Sequence, residues 1–207
     1  MAPVLALVLS TVAAGSSAPA LSPAPRQLKH LSATPVALAS WPVGSDDAPA
    51  AAAAASLVAA LTKSKVGPIA GLPSSKFIAV GILSPATETS APAFAALAAK
   101  HGVTPADLAS VGEEGYLLQL QAEAVILAAQ VNTHAMSQSL QRCRSHPTGT
   151  LCLQTPTGLF YGYQTLRQLL ADGSSVPSVR IVDWPSTGTR EPTRSPHPFY
   201  CEFCWNH

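Results

Sequence analysis

The sequence predicts an α+β fold, in which a small mixed β-sheet supports at least one strongly amphipathic helix. Three observations carry this prediction. Phe77–Leu83 is a short apolar run ended by Ser84-Pro85, the pattern of a buried strand. Gly115–Gln121 and Ala122–Gln130 are two strand-like stretches in direct succession. Thr155–Leu170 places Leu159, Tyr163, Leu166 and Leu170 at i, i+4, i+7 and i+11, with Phe160 beside them, which is one face of a helix.

Composition narrows the field. The chain has 207 residues, 11% of them charged, against about a quarter in an ordinary soluble domain. Its hydrophobic content is raised by alanine, which buries little area per residue. The length excludes a complete (β/α)8 barrel with anything attached, since such a barrel takes about 250 residues. A formal net charge of +1 provides no field to draw nucleic acid or an acidic membrane.

Residues 1–20 read as a secretory signal peptide. Val4–Leu9 with Val12–Ala14 forms an apolar core, and Ala18-Pro19-Ala20 is an A-x-A-like cleavage site. The apolar stretch is too short for a membrane span. This places the chain outside the cell or in the endomembrane lumen. Residues 21–75 alternate Pro, Ala and Ser with few large apolar side chains, and read as a linker. One helix is predicted inside it over Ala48–Ser64, from an alanine run with Leu57, Leu61 and Lys63; Asp46 and Asp47 lie just upstream, where carboxylates favour a helix N-terminus.

From Lys76 the text changes. After the Phe77–Leu83 strand, Ser90 is placed to cap a helix carrying Phe94, Leu97 and Ala98 and stopped by Gly102, and Thr104–Leu108 starts another turn. In Gly115–Gln121, Tyr116, Leu118 and Leu120 share one face, because side chains alternate along a strand. In the next strand Val125 and Leu127 face one way and Ile126 the other; the direct succession of the two strands suggests an antiparallel pair, although the turn residues are not ideal hairpin formers. Thr155 is the expected N-cap of the long helix, Pro156 its first residue and Gly173 its stop. Val176–Val182 is a final strand. Beyond Pro185 the alanine disappears, prolines recur at 192, 196 and 198, and Cys201 and Cys204 enter.

Three segments in this order resemble a known family: Glu114-Gly115-Tyr116-Leu117-Leu118-Gln119-Leu120, then Gly158-Leu159-Phe160-Tyr161-Gly162-Tyr163-Gln164-Thr165-Leu166-Arg167-Gln168-Leu169-Leu170, then Val176–Pro185 with its Val182-Asp183-Trp184-Pro185 ending. Together they are similar to the N-terminal α/β domain of bacterial-type β-N-acetylhexosaminidases (glycoside hydrolase family 20) and of the related hyaluronidase/O-GlcNAcase enzymes. The resemblance covers residues 76–185. It implies a sheet with helices packed on one face, set ahead of a catalytic (β/α)8 barrel, with disordered flanks. Two departures accompany it. Residues 131–154 form an insert carrying His134, Cys143, His146 and Cys152, which costs a surface loop little entropy. Residues 186–207 stand where the barrel is expected to begin, which suggests a truncated or alternatively spliced product, or a gene model that reads through an intron.

Candidate chemistry is sparse. Glycoside hydrolysis generally uses two carboxyls flanking the scissile bond, or substrate assistance by the acetamido group in the family-20 type. The resemblance places the acid and its acetamido-orienting partner in the barrel, so no catalytic residue is carried over to this chain. Glu113-Glu114 is a carboxylate pair, but neighbours on a strand point to opposite faces, so both read as solvated charges. Asp183 belongs to the junction pattern. Phe160, Tyr161 and Tyr163 read as core packing against the sheet, with a carbohydrate-stacking platform as the rival reading.

Cys201-Glu202-Phe203-Cys204 with His197 and His207 has a zinc-like composition, but its spacing is atypical of a finger. A thioredoxin-like site would need this CxxC to open a helix after a strand. Four cysteines allow three pairings, of which Cys143–Cys152 is locally feasible, and unpaired cysteines fit as well. Ser174, Ser175 and the scattered histidines form no Ser-His-Asp pattern. No metal, cofactor or nucleic-acid partner is expected.

The resulting expectation is a non-catalytic accessory domain of a hexosaminidase-type glycoside hydrolase, inactive alone, whose partner in the parent enzyme is its own catalytic barrel and which takes no sugar itself. The parent would hydrolyse terminal N-acetylhexosamine residues. The alternative is a secreted binding or interaction module with no hydrolase role.

Overall fold

The computed structural model describes residues 21–46, 48–83, 91–111, 114–130, 157–171, 173 and 175–184. Along the chain run β1 (Gln27–Ala37), β2 (Val43–Ser45), α1 (Pro49–Thr62), β3 (Val66–Pro68), β4 (Phe77–Ile82), α2 (Pro92–Lys100), α3 (Pro105–Leu108), β5 (Tyr116–Leu120), β6 (Ala124–Ala129), α4 (Thr157–Ala171) and β7 (Ser175–Asp183), with a 3-10 turn at Ile69–Gly71. The strands form one mixed sheet in the order β1-β7-β5-β6-β4-β2-β3. β3, β2, β4 and β6 are parallel neighbours, whereas β5 is antiparallel to both β6 and β7, and β1 is antiparallel to β7. The predicted α+β class holds, as does the antiparallel pairing of the two successive strands.

Alternation along the central strands sorts side chains into two cores. Ile78, Val80, Ile82, Tyr116, Leu118, Leu120, Val125 and Leu127 face one side. Phe77, Ala79, Leu117, Ala124, Ile126 and Ala128 face the other. Both faces are therefore apolar, which is why these strands read as near-continuous hydrophobic runs. The first face is covered by α1, through Ala51, Ala54, Ala55, Val58 and Ala59, and by α4. The second is covered by α2 and α3, with Phe94, Ala98, Val103 and Leu108 in its core. Helices thus lie on both faces of the sheet, and the one-face arrangement that the resemblance implied describes the α1 and α4 side alone.

The linker expected over residues 21–75 is corrected by the fold. These residues supply β1, β2, α1 and β3, and Val36, Leu38, Trp41, Val43 and Ile69 are buried. The alanine face of α1 is buried against the sheet without large side chains. Asp46 sits buried at the end of β2, where its Oδ1 accepts from the Ala48 N–H at 3.1 Å and its Oδ2 from the Ile82 N–H at 3.2 Å. One carboxylate thus ties Ala48, just ahead of α1, to the end of β4; it caps no N–H within the helix, and Asp47 lies outside the described residues.

The predicted caps Ser90 and Thr155, the signal peptide, the 131–154 insert and the 186–207 tail lie outside the described residues. Among those described, no helix is long and apolar enough to cross a membrane.

Candidate functional site

The three segments that carry the family resemblance meet at one place, the hydroxyl of Tyr116. Tyr116 opens β5, paired with Asp183 on β7 to one side and with Ala129 on β6 to the other. α4 crosses these strands with Gly158, Leu159, Gly162, Leu166 and Leu169 turned inward. A Cβ on Gly158 would overlap the carbonyl oxygen of Gly115, and one on Gly162 would overlap the tip of Leu127 and lie 3.1 Å from the Tyr116 ring. Glycine at both positions lets the helix backbone rest on β5 and β6. One turn on from Gly162, Thr165 then lies with its Oγ1 2.6 Å from Tyr116 Oη. Tyr116 Oη donates to Asp183 Oδ2 over 3.4 Å, a longer and weaker contact.

Asp183 has a second partner. Its Oδ1 accepts from the backbone N–H of Arg26 at 3.2 Å, and the Arg26 guanidinium carbon stands 4.8 Å from the centre of the Trp184 ring. Burial pushes the Tyr116 hydroxyl up to about 12; the Thr165 hydrogen bond opposes this and the Asp183 charge adds to it. At neutral pH the group is a fixed neutral donor, unsuited to act as a general base or nucleophile.

Hydrolysis by paired carboxyls needs them about 5–9.5 Å apart. Asp46 directly follows β2, which lies four strand positions from β7 and so roughly 19 Å away at ~4.8 Å per strand. Asp107 is in α3 over the opposite face, where it pairs with Arg180. Glu114 is exposed ahead of β5, as read from the sequence, and Glu113 lies outside the described residues. The arrangement at Tyr116 is that of a joint holding a helix and two strands in register.

On the α2 and α3 face a second polar group is built around Gln119, which is buried on β5. Its Nε2 donates to the His101 carbonyl at 2.7 Å and its Oε1 accepts from Arg180 Nη1 at 3.2 Å. Arg180 also donates to the Gly102 carbonyl at 3.0 Å and forms its ion pair with Asp107. Burial pushes the Asp107 carboxyl up, but bonds from the Thr104 amide and hydroxyl, at 2.7 and 2.9 Å, together with Arg180, hold it below its ordinary value.

The aromatic residues of α4 depart from the core-packing expectation. Tyr161 is 39% exposed, and Phe160 and Tyr163 are half-buried, their centroids 6.4 Å apart. Glycine rather than an aromatic ring makes the closest contact with the sheet, so the rings flank the interface. Leu169 is buried where Leu170 was expected, and Leu170 and Tyr163 pack at its margin. The pair Gly158 and Gly162, spaced i, i+4 on one helix face, was the available signal for this contact. Cys143, Cys152, Cys201, Cys204, His134, His146, His197, His207 and Ser174 lie outside the described residues, and Ser175 is an exposed residue at the start of β7. Among the described residues no three of His, Cys, Asp or Glu gather to hold a metal ion.

Residues 146–184 match the family model of glycosyl hydrolase family 20, domain 2. The match spans α4 and β7, and so contains Gly158, Gly162, Thr165, Asp183 and Trp184. It bears out the resemblance to the N-terminal domain of the β-N-acetylhexosaminidases. Among solved structures, the chain is similar to a β-N-acetylhexosaminidase from Bacteroides fragilis, with 14% identity and a TM-score of 0.45 over 80% of this chain and 25% of that one. It is similar also to a glycoside hydrolase family 20 β-N-acetylglucosaminidase, with 22% identity and a TM-score of 0.37 over 80% of this chain and 22% of that one. The chain therefore spans about a quarter of the length of these structures. No curated protein sequence matches it.

Proposed function

We propose that this chain serves as a non-catalytic accessory domain of a β-N-acetylhexosaminidase-type glycoside hydrolase. Its partner is the catalytic barrel of that enzyme, which removes terminal N-acetylhexosamine residues. The observation that supports this reading is the joint at Tyr116. The residues that resemble the family seat α4 on the sheet and fix the end of β7, which is a structural use of them. On this reading the folded unit starts within the segment first taken as linker, and secretion through residues 1–20 belongs to the same proposal.

A secreted binding module is the second reading, and the exposed ring of Tyr161 beside Phe160 is the observation that favours it, because aromatic faces stack on sugars. One experiment separates the two. The purified chain is assayed on a chromogenic N-acetyl-β-glucosaminide, and its thermal midpoint is measured with and without N-acetylglucosamine. The accessory-domain reading expects turnover no greater than a heat-killed control and no shift in midpoint. Turnover above that control contradicts the non-catalytic role, and a midpoint that rises with sugar concentration supports the binding module.

A further inference from the structure

We infer that residues 21–26 form a strap that fixes the polypeptide at the end of β7, fastened at Gln168 on α4 and at Asp183 and Trp184. At the first fastening, the side-chain amide of Gln168 closes a two-bond ring with the backbone of Ser22. Its Oε1 accepts from the Ser22 N–H at 2.9 Å, and its Nε2 donates to the Ser22 carbonyl at 3.0 Å. Leu21 packs against the margin of the α1 and α4 core beside it. At the second fastening, the Arg26 N–H bonds Asp183 Oδ1 at 3.2 Å and the Arg26 guanidinium lies over Trp184. From there the chain enters β1, with Gln27 opposite Val182.

The segment between the two fastenings is Pro23-Ala24-Pro25. Two prolines in three residues hold φ fixed at both and restrict the residue between them, so the segment is stiff and a displacement at one end is carried to the other. Asp183 is also the carboxylate of the Tyr116 joint, so the strap is linked through it to Tyr116 on β5 and from there to Thr165 on α4. The strap therefore sets the ring position of Trp184 at the end of β7.

The test labels the full chain with 5-fluorotryptophan and follows Trp184 by fluorine NMR, its signal assigned by loss in Trp184→Phe. Arg26→Met removes the cation over the ring and is expected to move the Trp184 signal. Gln168→Ala is the decisive variant, because Gln168 is exposed and its side chain makes both hydrogen bonds to Ser22 at that end. It is expected to move or broaden the Trp184 signal while leaving Trp41 in place. A Trp184 signal unchanged by Gln168→Ala shows that the two fastenings act independently and overturns the strap. A Trp41 signal that moves equally indicates general loosening of the core and overturns it as well. Neither result depends on whether the chain serves a hydrolase.

Discussion

The α-carbon of Gly158 on α4 lies so close to the carbonyl oxygen of Gly115 ahead of β5 that no side chain fits between them. Gly162, one turn on, approaches Leu127 and Tyr116 in the same way, but the atom in its path is the tip of a side chain. Alanine at either site gains up to about 1 kcal/mol of helix propensity over glycine. Overpacking a well-filled core costs about 1–3 kcal/mol. Because a backbone carbonyl yields less than a leucine methyl, Gly158→Ala is expected to lower the urea midpoint clearly and Gly162→Ala by less. A midpoint raised by Gly158→Ala would mean that the helix does not rest on β5.

The two helices over this face carry leucines of opposite burial. Leu166 is fully buried on α4, whereas Leu57 on α1 is 39% exposed. Leu166→Ala is expected to cost about 2–5 kcal/mol, as for other buried leucines. Leu57→Ala should stay within about 0.5 kcal/mol, the usual range at the surface. Chemical denaturation of the two variants in parallel checks the contrast.

Alkaline pH probes the Tyr116 joint. The hydroxyl is raised from 10 in the unfolded chain to about 12 in the fold, so the folded state favours the protonated form. The stability this contributes is fully present below pH 10 and is lost as pH rises through about 12. Tyr116→Phe removes that dependence. Its unfolding midpoint should fall less between pH 10 and 12 than that of the unaltered chain, and equal slopes would contradict a buried, unionised hydroxyl.

Acid probes the opposite face. Asp107 is held below its ordinary 3.8, so its contribution is present above that value and is lost as pH falls through the lower folded one. The ion pair with Arg180 is partly exposed, and such pairs contribute at most about 1 kcal/mol. Asp107→Asn should therefore cost little near neutrality and flatten the loss of stability below pH 4. An unchanged acid profile would show that Asp107 is not held by Thr104 and Arg180.

These expectations draw on parts of the fold that were unequally legible in the sequence. β4, β5 and β6 were readable because each is a largely apolar run buried on both faces, broken only by Gln119 in β5. That same continuity signals cover on both sides, and it places α2 and α3 opposite α1 and α4. β1 was hidden because it is an exposed edge, with Val36 its single buried residue and two register shifts against β7. β2 and β3 have three residues each, too few to show any alternation. In the joint, Tyr116, Thr165 and Asp183 belong to the segments that carry the resemblance, yet their meeting depends on β5 pairing with β7, a pairing that local pattern does not encode. The bend of the strap onto Gln168 is likewise a long-range contact between two otherwise unremarkable stretches.

The most direct test of the joint is a double-mutant cycle on Tyr116→Phe and Thr165→Val, measured by equilibrium unfolding at neutral pH. Groups sharing one hydrogen-bond network show coupling of about 0.5–3 kcal/mol, whereas independent sites add to within ~0.5 kcal/mol. The account predicts coupling: once either hydroxyl is gone, removing the second should cost less than it does in the unaltered chain. Strict additivity of the two costs would contradict it, since Tyr116 and Thr165 would then hold α4 and β5 separately and the segments that resemble the family would share no joint.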